Sequence, residues 1–282
     1  MSGPGGNTQL VGVIGCPITH SLSPPMHNAA FATASLDWRY LAWEVREANL
    51  AEAVRGLIAL GVRGFNVTVP HKVAVLPLLD AVTEEARRIG AVNTVWHRDG
   101  RWWGENTDAE GFLRALAGAG FSPAGGRAVL LGAGGAARAT GYALCRAGVA
   151  ELHVATRTEG RAAQLAGDLS AGSPVRLTAS GLGAAGLRER LAKADLVVNA
   201  TASALSEGAL PVPPAWLVPG ALLCELSYGA AAAPVLAAAR EKGLRTLGGE
   251  EMLIHQGALA FRLWTGVEAS LPAMREGLGR AG

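Results

Sequence analysis

The stretch Asn66-Val67-Thr68-Val69-Pro70-His71-Lys72 brings an amide, a hydroxyl and a primary amine within seven residues. Its β-branched content predicts a strand over Phe65–Val69, which Pro70 ends because it has no N–H to donate. Alternation then puts Phe65, Val67 and Val69 on one face, and Asn66 and Thr68 on the other. Two hydrogen-bonding side chains at a buried strand end, with an ammonium group just beyond, can hold a small polar ligand and supply a proton or a positive charge. The same residues also fit a satisfied polar strand edge followed by a surface lysine, and alone they do not choose.

The elements around this stretch would bring further polar groups to it. Val11–Gly15 reads as the first strand, followed by a polar loop and a helix from Pro24 to about Leu36, with its prolines in the first turn. The loop carries Ser21 and Ser23; one suffices as a helix cap, and the C-terminal end of a strand is where open α/β sheets bind ligands. Asn49 with Glu52 resembles a capping box for a helix whose apolar face is Leu50, Val54, Leu57 and Ile58, ended by Gly61. Thr83 caps a helix that stops near Gly90. Asp99-Gly100 predicts a hairpin between Ala91–His97 and Arg101–Trp103. Asn93 lies early in it and fits a turn amide as readily as a ligand contact. Thr107 fits the cap of a helix that Asp108 opens and that runs to about Leu116, where a carboxylate also complements the helix dipole.

Gly120–Gly126, rich in Gly, Pro and Ser, is a candidate domain boundary. Strand Ala128–Leu131 then runs into Gly132-Ala133-Gly134-Gly135-Ala136-Ala137, which opens a helix. A Gly-rich turn between strand and helix lets backbone N–H groups approach a pyrophosphate. The next strand, Leu152–Ala155, lacks the acid that would hold a ribose hydroxyl. Thr156-Arg157-Thr158 and Arg161 stand there instead, cations that suit a 2′-phosphate and so NADP over NAD. Strands at Asp195–Asn199 and Ala221–Leu226 continue an alternating, Rossmann-like unit. Glu250–Trp264 reads as a helix with an apolar stripe of Met252, Leu253, Leu259 and Leu263 that leaves Gln256 off it. A last helix follows Ser270.

Composition bounds the rest. Half of the 282 residues are apolar and 17% are charged, which supports one or two packed α/β domains. A net charge of +2 gives no nucleic-acid-binding stripe. The longest apolar run, 229–239, is broken by Pro234 and too short to span a membrane. Three scattered cysteines point to a reducing, cytoplasmic setting with no disulfide framework and no metal. The first seven residues lack the features of a signal peptide and read as a loose tail.

Six blocks, in order and at fitting separations, resemble the shikimate dehydrogenase family: 15–24 with Met26-His27-Asn28, 66–72, Gly90-Ala91-Val92-Asn93-Thr94, Asn106-Thr107-Asp108, 132–136, and Met252-Leu253-Ile254-His255-Gln256-Gly257-Ala258. The resemblance implies a two-domain α/β protein: a substrate domain over 1–107 plus 249–282, and a Rossmann-like NADP domain over 108–248, with a cleft between them. It implies reversible, NADP-dependent reduction of 3-dehydroshikimate to shikimate in chorismate and aromatic amino-acid biosynthesis, by a monomer or homodimer. Ser21, Ser23, Asn66, Thr68, Asn93, Asp108, Tyr228 and Gln256 would bind substrate, and Lys72 with Asp108 would form the catalytic pair. Gly132, Ala133, Gly134, Gly135 and Ala136, with Thr156, Arg157, Thr158, Arg161, Thr201 and Gly249, would hold NADP. Quinate or aminoshikimate-type dehydrogenases, or a non-catalytic metabolite-binding relative, are the alternatives. The chain departs from the family pattern at Thr156, at Ala202-Ser203-Ala204-Leu205, and at Glu225.

Overall fold

Valine and isoleucine fill the middle of the first strand, β1 (Gln9–Gly15), and bury it on both faces. The computed structural model describes residues 5–201, 203 and 208–280, so part of the loose tail and Ala202, Ala204 and Leu205 of the divergent loop lie outside the described residues. Two compact units emerge: Met1–Thr107 with Leu253–Gly282, and Asp108–Met252. The Gly120–Gly126 segment is therefore a turn inside the second unit; Gly120 and Gly125 both take positive φ there, the backbone geometry of a helix exit and a tight turn.

The first unit is built on a mixed sheet. Its other strands are β2 (Trp38–Glu44), β3 (Gly64–Val67), β4 (Ala81–Val82), β5 (Thr94–Arg98) and β6 (Arg101–Glu105), in the order β2-β1-β3-β5-β6-β4. β1 pairs in parallel with β2 and β3, whereas β5 runs antiparallel to both β3 and β6. Asp99 and Gly100, both at positive φ, close the hairpin between β5 and β6. Helices α1 (Ser23–Thr33), α2 (Leu50–Ala59) and α3 (Glu84–Ile89) complete the N-terminal part. One face of the sheet packs Phe65, Val67 and Val95 against Leu50, Val54 and Leu57 of α2. The other packs Val11, Val13 and Tyr40 against Met26 and Phe31 of α1 and against Ile254, Phe261 and Met274 from the C-terminal helices.

Several local predictions need correction. β3 ends at Val67, so alternation stops there and Val69 is 63% exposed rather than facing the core. Thr68 N still donates to Ile14 O at 3.0 Å, after which the chain turns through His71 N–Thr68 O. The first helix ends at Thr33, short of Leu36. Asn49 makes no side-chain cap, because a 3₁₀ turn over Glu47–Asn49 already leads into α2. Thr83 does cap α3, its Oγ1 accepting from Ala86 N. Strand β2 is absent from the sequence expectation, although Trp38, Tyr40 and Trp43 are strand-favouring residues.

The second unit opens with α4 (Asp108–Gly118) and alternates β7 (Arg127–Leu131), α5 (Gly135–Arg146), β8 (Glu151–Thr156), α6 (Glu159–Ser170), β9 (Arg176–Gly181), α7 (Leu187–Leu191), β10 (Leu196–Asn199), β11 (Leu222–Glu225), α8 (Ala233–Glu241) and β12 (Arg245–Leu247). Every pairing is parallel, and the order β9-β8-β7-β10-β11-β12 is the doubly wound arrangement, with its switch point between β7 and β10. Helix α9 (Gly249–Thr265) begins in this unit and continues into the first, and α10 (Leu271–Gly279), capped by Ser270, packs on α1. The deeply buried side of α9 is Met252, Ile254, Ala260 and Phe261, and Gln256 is buried as well, so the predicted stripe is rotated. No helix among the described residues is long and apolar enough to cross a membrane.

His27 on α1 is fully buried, and neither ring nitrogen finds a partner among the described residues. Its ring stacks on Tyr40 at 4.4 Å and 1°. Burial pushes its pKa down to about 3, so it is neutral in the folded chain. The unfolded chain takes up this proton near pH 6.5 and the folded chain does not, so His27 removes stability as pH falls from 6.5 towards 3. Replacing it with a ring that does not titrate removes that slope. Between pH 7.5 and pH 5, the stability difference between His27→Phe and the unaltered chain should move in favour of the variant by about 2 kcal/mol in urea denaturation. A difference that stays constant with pH contradicts a neutral, buried His27.

Candidate active site

In the first unit, the predicted residues assemble from the strand ends upward. Loops leave the adjacent ends of β1 and β3 and are tied together by Cys16 N donating to Val69 O at 3.0 Å. The loops pack so closely that a Cβ on Gly15 would sit 2.4 Å from Thr68 Cγ2. The first loop carries Ser21 and leads into Ser23, the buried first residue of α1. Ser21 Oγ accepts from Ser23 N at 3.3 Å, and Leu22, the cap position of α1, supplies no side-chain bond. The second loop carries Thr68 and half-buried Lys72, whose carbonyl accepts from Val92 N at 2.8 Å, one residue before Asn93.

Behind these loops lies a buried network of amides and hydroxyls. Asn66 Nδ2 donates to Asn93 O and to Thr94 Oγ1, each at 3.0 Å. Asn93 Nδ2 donates to Thr107 Oγ1 at 2.9 Å and to Gln256 Oε1 at 3.1 Å, and Asn93 Oδ1 accepts from Thr107 N at 2.8 Å. Gln256 is anchored in turn by Nε2 donating to Leu253 O at 2.8 Å. The amide of Asn93, ambiguous in the sequence, is thus a structural hub. Asn66, Asn93 and Gln256 form one connected set; Ser21, Thr68 and Lys72 stand on the loops at the adjoining strand ends, and Ser23 opens α1 beside them.

The remaining predicted residues belong to the second unit. Asp108 is the first residue of α4 and follows Thr107 directly in the chain. The others line the carboxyl edge of the parallel sheet. After β7, Gly132 holds φ +114, and a Cβ there would lie 2.9 Å from Ala200 O. Gly134 is the cap position of α5 and has no side chain, so the first N–H groups of the helix face outward with the positive end of its dipole, a donor set that suits a phosphate. Thr156 ends β8, its Oγ1 donating to Thr158 O at 2.6 Å, and Arg157 and Arg161 are exposed beyond it. At the end of β10, Asn199 Oδ1 accepts from Thr201 Oγ1 at 2.7 Å, while its Nδ2 donates to Glu225 Oε2 at 2.5 Å. Burial pushes the Glu225 pKa up, opposed by hydrogen bonds from Ser227 and Asn199. Tyr228 follows β11. Gly249 starts α9 where a Cβ would lie 2.3 Å from Leu226 O, so only glycine fits.

Three family models cover most of this chain: the shikimate dehydrogenase substrate-binding domain over residues 13–95, the shikimate/quinate 5-dehydrogenase model over 116–206, and the shikimate 5′-dehydrogenase C-terminal domain over 249–277. A protein of Moorella thermoacetica named shikimate dehydrogenase (NADP(+)) is 50% identical over 280 residues, covering 97% of this chain and 95% of its own length. The chain belongs to the shikimate dehydrogenase family. Among solved structures, shikimate 5-dehydrogenase from Thermus thermophilus in complex with NADP(H) and shikimate matches with a TM-score of 0.86 and 39% identity, over 97% of this chain and 100% of that one. Quinate dehydrogenase from Corynebacterium glutamicum, in complex with NAD, matches with a TM-score of 0.86 and 34% identity, over 97% of this chain and 99% of that one.

Within this family framework, sequence reasoning gave no role to Tyr40 or Thr94 and read Thr107 only as a helix cap, although each is tied to the network. Thr94 and Thr107 sit inside the quoted family blocks, and their spacing from Asn93 is the only signal they leave. Asn93 joins several buried groups, so its loss should be felt in folding as well as at the site. Asn93→Ala strands the Thr107 N–H and the Gln256 amide oxygen in a buried setting, and should cost about 2–4 kcal/mol of stability in urea denaturation. A loss under about 1 kcal/mol would show that the network does not hold the unit together.

Proposed function

We propose that the chain catalyses the NADP-dependent, reversible reduction of 3-dehydroshikimate to shikimate, a step towards chorismate and the aromatic amino acids. What carries the reading is the near-full-length identity to a shikimate dehydrogenase (NADP(+)) combined with the intact polar set from Ser21 to Gln256. Shikimate is a ring with three hydroxyls and a carboxylate, and Ser21, Ser23, Asn66, Thr68, Asn93, Tyr228 and Gln256 offer the amide and hydroxyl groups to bind them. NADP, when bound, supplies the hydride. Gly132–Ala136 and the N-terminus of α5 would hold its pyrophosphate, Thr156, Arg157, Thr158 and Arg161 its 2′-phosphate, and Thr201 and Gly249 would border it further along the sheet edge.

Ketone reduction builds negative charge on the carbonyl oxygen, which then takes a proton. Lys72 donates that proton in reduction and accepts it in the reverse direction, and Asp108 holds its ammonium by opposite charge. The same pair also works with the roles divided otherwise, Asp108 moving the proton and Lys72 acting through its charge. The similarity to a quinate dehydrogenase makes quinate the second substrate to test; serine at position 21 supports shikimate. Three free cysteines fit a cytoplasmic setting, and the enzyme acts there on small molecules as a monomer or homodimer.

A steady-state absorbance assay crossing shikimate and quinate with NADP and NAD tests the proposal. Shikimate with NADP should give the highest kcat/KM, and Lys72→Met should lower kcat by about 10²–10⁴ while KM changes only a few-fold. Equal use of NAD overturns the 2′-phosphate role of Arg157 and Arg161, and near-normal kcat in the variant overturns that of Lys72.

A further inference from the structure

Asn66 has two amide hydrogens and two oxygen lone pairs to offer. Both hydrogens are spent. One goes to the backbone carbonyl of Asn93, which can only accept, and this fixes which way the carboxamide faces; the other goes to Thr94 Oγ1. Tyr40 Oη donates to Asn66 Oδ1 at 2.7 Å and takes one lone pair. What Asn66 retains is a single acceptor position and no donor.

Tyr40 itself is held with unusual firmness for a residue on an edge strand. Its backbone N–H donates to Asn28 Oδ1 at 2.9 Å, and its carbonyl accepts from Asn28 Nδ2 at 3.0 Å. One ring face lies flat on His27 at 4.4 Å, and the indole of Trp264 is tilted against it at 6.0 Å. Trp264 is fixed in turn by Nε1 donating to Val95 O at 3.0 Å. The phenol therefore approaches Asn66 from one direction only, and in a buried setting the bond is stronger than in water.

We propose that Tyr40 is a positioning residue of the substrate site: its bond holds Asn66 Oδ1 from the side and leaves it one lone pair, and because both amide hydrogens are spent on Asn93 O and Thr94 Oγ1, the substrate position facing Asn66 must carry a hydrogen-bond donor, a hydroxyl or an amine. This rests on the proposed substrate role of Asn66. A group that only accepts, such as fluorine or a methyl ether, meets a lone pair there and is rejected more strongly than plain hydrogen.

The test uses the full chain and two measurements. First, shikimate analogues with each ring hydroxyl replaced singly by hydrogen, fluorine or an amine are titrated calorimetrically against the unaltered protein. One position should tolerate the amine and reject fluorine more strongly than hydrogen. Second, Tyr40→Phe keeps the ring stack and the Asn28 clamp and removes only the hydroxyl. Its KM for shikimate should rise about tenfold with kcat within about twofold, and the penalty should vanish for the analogue lacking the hydroxyl that Asn66 receives. Fluorine tolerated at every position, an unchanged KM, or a penalty equal across all analogues overturns the inference. The analogue series needs no variant, so it decides the matter even if Tyr40→Phe does not fold. A chain that neither binds nor oxidises shikimate overturns the functional reading itself, a result distinct from one that oxidises shikimate and shows no donor requirement.

Discussion

The Asn93 carboxamide is the interaction on which the first unit depends. It is buried, and it joins the start of β5, the backbone at Thr107 and the side chain of Gln256, which lies 163 residues further along the chain. A buried amide stripped of partners costs a large part of a domain's net stability. The strand end, the Asn-Thr-Asp segment and helix α9 must therefore be in place together. This is a physical reason for the C-terminal helices to belong to the N-terminal unit: without Gln256 the hub would lack one acceptor, and without Ile254 and Phe261 that face of the sheet would lie open.

The second unit works under a different constraint, the room available at the carboxyl edge of a parallel sheet. Gly132 and Gly249 stand where backbone from neighbouring strand ends comes within about 3 Å of a would-be Cβ. The edge then carries only glycine and alanine where α5 begins and is rich in polar groups elsewhere. Glu225 and Asn199 stiffen it from within by a buried hydrogen-bonded link between β10 and β11, which passes on to Thr201. The second oxygen of Glu225 secures Ser227, accepting from its N–H and its hydroxyl.

Much of this was legible in the sequence because the signals were local. The Asp99-Gly100 turn, the Thr83 cap, the Gly61 stop and the Gly132 turn each follow from the backbone preferences of a few neighbouring residues. The parallel order of the second sheet followed from alternation of strand and helix. Other features depended on partners far away. The outward turn of Val69 reflects the loop from β1 that meets β3, the idle Asn49 side chain reflects the 3₁₀ turn before it, and the rotated face of α9 reflects its packing on α1 and β1. Tyr40 carries no motif at all: its role comes from a stack on His27 and from Asn66 on another strand, and no window of sequence contains all three.

As proposed above, the polar network of the first unit is organised in advance to bind a polyhydroxylated ring. The most direct measurement is a crystal structure of the chain with shikimate. The network predicts a ring hydroxyl within about 3 Å of Asn66 Oδ1, donating to it, with the Tyr40–Asn66–Asn93–Gln256 bonds unchanged. Shikimate bound away from these residues, or an Asn66 carboxamide rotated to donate to the ligand, would contradict it.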